Sequence, residues 1–126
     1  MGKWQNDTML DQALNWIKTN ADALYVCSSQ PTTYAQASTS YKLAAKTSYS
    51  ITGSPANGDS SGRKIATNAA SSVSVASAGS AQHVAITGSI SSTQTLLYVT
   101  TCSTKALGTS DKVNIPAFDI EIADAA

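Results

Sequence analysis

Few side chains in this sequence could do chemistry, and their spacing decides what each can do. His83 is the one histidine, so any nucleophile–base pair would have to be built on it. A general base needs a hydroxyl or thiol within hydrogen-bond reach, and no G-x-S-x-G elbow is present to aim a serine. His83 sits beside Val84 in a strand pattern, which predicts a structural or surface histidine. Asp119 and Glu121 share one side of a strand. A glycosidase pair would flank a cleft; on an amphipathic strand the same carboxylates simply face water. Gly53 and Gly58 have the gap of a P-loop, but Asp59 stands where the lysine must be and would repel phosphate. Asp59 alone also falls short of a calcium loop, which needs several oxygens in a set register. Cys27 and Cys102 make no CxxC motif, and one histidine does not complete a Cys/His zinc site. They read either as two buried thiols or as a disulfide between strands. These residues predict no enzyme, no metal and no cofactor.

What must position them is a chain poor in charge. Charged residues make up 13% of the sequence, against about 25% in an ordinary globular protein. Ser and Thr fill the gap, at about a quarter of the residues. Hydroxyls of this kind solvate strand faces without charge, as in β-rich extracellular and virion proteins. The net charge is zero and Arg63-Lys64 is the one adjacent basic pair, which predicts no nucleic-acid partner because phosphate contacts need a basic patch. No apolar run reaches the ~20 residues that span a bilayer, so no membrane association is expected. MGKWQNDTML has no apolar signal region, which predicts synthesis in a cytoplasm. At 126 residues the chain is long enough for one domain, 1–126, with its own core.

Residues 7–19 are the one helical pattern: Leu10, Ala13, Leu14 and Ile17 form an apolar stripe. Asp7 or Thr8 suits the cap, Lys18 suits the negative end of the dipole, and Asn20 suits the stop. Met9 and Trp16 flank the stripe and are expected to pack the helix onto a sheet. Trp4 precedes it and is the better placed to reach a neighbouring subunit. Beyond the helix the periodicity is that of strands. ALYVCS, apolar on both sides, reads as a buried strand. A loop with one helical turn follows, carrying Tyr34 and Tyr41, and then a strand over 46–52 with Tyr49 and Ile51. Gly53–Gly62 is rich in turn formers and reads as a mobile surface loop. Strands over 62–69 and 71–76 come next, the second turning Val73 and Val75 inward. Three strongly β-prone runs close the chain: AQHVAITG, TQTLLYVTTC and DKVNIPAFDIEIA. They are separated by turns near 88–93 and 108–111. In the last, Phe118, Ile120 and Ile122 alternate with Asp119 and Glu121, as in a strand with one wet face. The middle run is apolar on both sides around Leu96–Val99, which predicts a central strand. Pro116 cannot donate to a ladder and marks an edge or bulge. The whole predicts a mainly β fold, an antiparallel, jelly-roll-like β-sandwich with one short N-terminal α-helix.

The order of these features, NDTMLDQALNWIKTNA, LYVCSSQPTTYAQA, GDSSGRK, AQHVAI, LLYVTTC and VNIPAFDIEIA, resembles a family of small virion proteins of tailed bacteriophages and prophages. Members are found among the head-morphogenesis proteins. The resemblance runs nearly end to end and rests on pattern, with no catalytic signature. It implies a capsid decoration or cement protein that sits on the exterior of the virion and stabilises the shell. The implied partners are the major capsid protein and copies of itself, as a dimer or trimer. Cement works through many equivalent weak contacts, for which Trp4, Tyr34, Tyr41 and Asp59 in its loop are the candidate partner-binding residues. Each tyrosine could equally pack on its own sheet. A phage tail or fibre component is the alternative, and a carbohydrate-binding module is a further one that the 6% aromatic content disfavours.

Overall fold

A computed structural model describes residues 6–59 and 61–123. The described chain opens with helix α1 (Asp7–Asn20) and continues in strands joined by irregular segments: β1 (Ala21–Cys27), β2 (Lys42–Thr47), β3 (Ala56–Asn57), β4 (Arg63–Ala66), β5 (Ala70–Ser74), β6 (Gly79–Ile90), β7 (Thr93–Leu107), β8 (Lys112–Ile115) and β9 (Asp119–Ile122). A single π-helical stretch, Gln36–Ser40, interrupts them. Every pairing is antiparallel. The strands form a four-stranded sheet in the order β2-β1-β6-β7, a three-stranded sheet β3-β4-β9 and a ribbon β5-β8. The fold is mainly β with one short helix, as the hydroxyl-rich, alternating sequence predicts.

Sandwich-like packing follows from where the apolar side chains go. Leu24, Val26, Val84 and Ile86 of the large sheet share one cluster with Ile65 and Ile120 of the three-stranded sheet and with Val73 and Ile115 of the ribbon. Leu14 of α1 joins the same cluster and is fully buried. Full burial of a side chain such as Leu14 or Ile86 contributes about 1.5–3 kcal/mol, so this shared cluster is what holds the three sheets together. A second, smaller cluster lies on the other side of the large sheet, where Ala23, Tyr25, Cys27 and Ala85 meet Ala37 of the π-helical stretch. The large sheet is therefore covered in part on both faces.

Helix α1 starts at residue 7 as expected, but its cap lies one residue earlier than Asp7. Asn6, in extended backbone, accepts from the Thr8 N–H at 2.7 Å, so neither Asp7 nor Thr8 is the cap. At the other end the Asn20 side chain donates to the Trp16 carbonyl at 2.8 Å, and β1 follows at once. Gly88 makes this close passage possible, since a Cβ there would collide with the Asn20 carbonyl.

Three expectations are corrected. The strand placed at 46–52 is β2, Lys42–Thr47; Ser48 at φ 54° ends it, the left-handed backbone turning the chain out of its extended path. Tyr49 and Ile51 are buried from irregular backbone instead. The run expected to be central, Leu96–Val99, lies in β7 at the edge of its sheet. It is apolar on both sides because the pairing shifts register between Ile86 and Thr87. Around that bulge Leu97 and Tyr98 pack against the larger cluster while Leu96 and Val99 pack against the smaller one. Finally, the cysteines are both free, and only Cys27 is buried; Cys102 is exposed on β7.

The turns match their chemistry more closely than their residue types suggest. β6 and β7 are joined by Ser91-Ser92, both at positive φ (50° and 67°), the backbone of a two-residue type I′ hairpin. Pro116 lies between β8 and β9, outside any ladder.

Candidate functional site

Helix α1 turns Leu10 and Leu14 into the core and leaves the face about 100° round the helix from them in solvent. On that face Met9 is 58% and Trp16 48% exposed, the two large apolar side chains most open to water among the described residues. Ala13 lies between them and is also exposed, so residues 9, 13 and 16 form one ridge at i, i+4, i+7 spacing. These two side chains were expected to pack the helix onto the sheet; the Leu10–Leu14 stripe does that alone. Beside Trp16, a shallow hollow of about 220 Å³ is lined by Gln12, Asn15, Thr19 and Asn20. The ridge is held in place by a fork between helix and sheet. Arg63 of β4 donates from Nε to Asp11 Oδ1 at 2.7 Å and from Nη2 to Asp11 Oδ2 at 3.2 Å. Its Nη1 also donates to Asn57 Oδ1 at 2.7 Å. The hydrogen bonds that Arg63 donates to Asp11 raise the guanidinium above its ordinary value, and the bidentate geometry fixes the helix orientation.

Asp59 belongs to a second polar group on the three-stranded sheet. Its Oδ1 accepts from Lys64 Nζ at 2.5 Å, and the same ammonium reaches Asp119 Oδ2 at 3.1 Å. The Asp59 N–H donates to Glu121 Oε1 at 2.7 Å. Both carboxylates hold the Lys64 ammonium in its charged form, Asp59 most strongly. The stretch expected to be a mobile loop is thus tied by β3, which pairs with β4, and by these bonds across to β9. Asp119 and Glu121 do share the wet face of the last strand, where they serve Lys64 and the Asp59 backbone.

Tyr34 and Tyr41 are half-buried and end up on the side of the smaller cluster. Tyr41 packs against that cluster. Tyr34 and Tyr25 together border an open hollow of about 370 Å³ with Asp22, Ser48 and Gln94. Its mixture of phenols, a carboxylate and an amide offers hydrogen bonds to a neutral polar group. Trp4 lies outside the described residues.

His83 occupies β6 with Cys27 on one side and Thr101 on the other as its pairing partners. Its Nδ1 is buried without a hydrogen-bond partner, as is Thr87 Oγ1. A thiol beside a histidine invites comparison with cysteine catalysis, but the environment runs the wrong way. A nucleophilic cysteine is lowered in pKa, whereas burial pushes Cys27 up to about 11, and its Sγ lies 3.7 Å from the Ala37 carbonyl in hydrogen-bond geometry. No group of three His, Cys, Asp or Glu side chains able to hold a metal occurs among the described residues, and no helix among them is long and apolar enough to cross a membrane.

Of the residues predicted from sequence, the structure brings Asp59 together with Lys64, Asp119 and Glu121, and Tyr34 with Tyr25. The Met9–Trp16 ridge was legible only as two large residues beside the helical stripe; their exposure was not. No family model matches this chain, and no curated protein or solved structure does.

Proposed function

We propose that this chain is a structural binding protein, a capsid decoration protein of a tailed bacteriophage that attaches to the outer surface of the major capsid protein shell and stabilises it. The observation that carries the binding reading is the Met9–Ala13–Trp16 ridge, clamped to the sheet through Asp11 and Arg63. Trp is the commonest interface anchor, and a side chain pre-positioned on a rigid helix loses little freedom on binding. The neutral, hydroxyl-rich surface suits attachment without drawing nucleic acid. The resemblance of the sequence to phage head proteins supplies the shell as the partner.

The test is cosedimentation of the purified protein with preformed shells of the major capsid protein encoded in the same genome. Binding is expected to be saturable and to raise the shell melting temperature. Trp16→Ser is expected to weaken it by about thirtyfold or more. Failure of the unaltered protein to cosediment would sink the reading. Extended trimers free in solution would favour a tail or fibre role instead, and retention on immobilised glycans a carbohydrate-binding one.

A further inference from the structure

The edges of the three sheets are treated unequally. The outer edge of β2 is closed: the Ala76 and Ser77 N–H groups both donate to the Leu43 carbonyl, at 2.7 and 3.1 Å, and Val75 bridges to Ala44. β3 is two residues long. β9 carries Asp119 and Glu121, β8 is four residues and begins with Lys112, and β5 is broken by Ser72 at φ 55°. Short length, charge and irregularity are the ordinary ways to stop an edge from pairing. β7 is different. Its 15 residues span about 50 Å at ~3.3 Å each, contain no Pro or Gly, and bear one charge, Lys105. Its one strand neighbour is β6, so its outer row of N–H and C=O groups faces no other strand among the described residues.

We propose that β7 pairs antiparallel with β7 of a second copy of this chain, about a two-fold axis at Val99, joining the two four-stranded sheets into one continuous sheet. Backbone groups in a row select an extended strand as occupant. The strand of matching length and lack of charge is the same edge on another copy, and a two-fold closes both edges at once, where any heterologous pairing leaves one open. The chain's zero net charge sets no long-range repulsion against this. Register shifts on either side limit the regular run to Tyr98–Thr101, paired with Ile86–His83. Bulges bend a strand, so the new ladder is centred on that run. A two-fold normal to an antiparallel ladder must set one residue opposite its own mate. At Val99 it places Tyr98 opposite Thr100 of the second copy and keeps the two Lys105 side chains at opposite ends. Half-buried Leu96, Tyr98 and Val99 then gain cover on both faces.

The test reads the isolated full chain, so it stands or falls apart from any shell binding. Sedimentation equilibrium is expected to show a concentration-dependent dimer. Val99→Lys, which sets like charges directly opposite each other, weakens it by about tenfold or more, whereas Trp16→Ser leaves it unchanged. Because Val99→Lys could also disturb the fold, a second variant joins Val99→Cys to Cys102→Ser; mild oxidation is expected to cross-link it as a disulfide dimer. A monomer at every soluble concentration, a trimer or open polymer, a dimer indifferent to Val99→Lys, or no cross-link each overturns the proposal.

Discussion

The phenol of Tyr49 makes two hydrogen bonds to one residue: it donates to the Asn68 carbonyl at 2.8 Å and accepts from the Asn68 N–H at 3.0 Å. Tyr49 is 4% exposed, so one side chain completes the backbone of the link between β4 and β5. The Asn68 side chain answers by accepting from Thr52 N–H at 3.1 Å. A neighbouring link is built likewise, with Thr67 Oγ1 donating to the Phe118 carbonyl and accepting from its N–H. Hydroxyls thus do here what a strand ladder does elsewhere.

Tyr49→Phe keeps the ring and removes both bonds, leaving a donor and an acceptor of Asn68 unpaired. The expected loss is about 2–3 kcal/mol, seen as a lower urea midpoint with an unchanged slope. A loss below about 0.5 kcal/mol would mean that water replaces the phenol.

Alkaline pH should destabilise the fold through groups held neutral by burial. Burial raises Tyr25 to about 12, with the neighbouring Tyr34 adding to it, and raises Cys27 to about 11, from ordinary values of 10.0 and 9.0. Both are raised, so their stabilisation is complete below the ordinary values and is lost as pH rises through the folded ones. Urea midpoints are expected to fall between about pH 9 and pH 12, and to fall less in Cys27→Ala. A flat profile across that window contradicts the assignment.

The Ser91-Ser92 hairpin has a backbone that other residues fit better. Both positions need positive φ, for which Asn followed by Gly is the favoured pair. Ser91→Asn combined with Ser92→Gly is expected to stabilise by about 1 kcal/mol, measured as a rise in Tm. A fall would show that the serine hydroxyls hold the turn.

Two faces of one helix should respond in opposite ways. Trp16→Ser is expected to change stability by no more than about 0.5 kcal/mol, while Leu14→Ala, at a fully buried position, costs about 2–5 kcal/mol. Thermal unfolding of both variants checks this. Equal losses would place Trp16 in the core.

How far the sequence reads through is clearest at particular elements. The helix over 7–19 stands within one residue of Asp7–Asn20, because its stripe repeats at helical spacing for several turns. The alternation in the last run survives as buried Ile120 between exposed Asp119 and Glu121. The strand expected at 46–52 failed because Tyr49 and Ile51 look β-prone, yet one left-handed serine decides where β2 ends. Of the candidate contacts, Asp59 and Tyr34 were picked for their residue types, but Asp59 is also tied to Glu121, 62 residues away, which no local pattern connects.

Taken alone, the sequence determined the kinds of element and which side of each is apolar, since periodicity records the two sides of a strand or helix directly. The tertiary structure alone decided what lies against those sides. It made β7 an edge despite its apolar faces, because the large sheet has a cluster on each face and a bulge splits Leu97 and Tyr98 from Leu96 and Val99. It also left Trp16 in water, because two leucines suffice to seat the helix and the fork from Arg63 to Asp11 sets its tilt. An apolar side chain reports a preference for cover; only the packing of the other elements determines whether the fold itself supplies it.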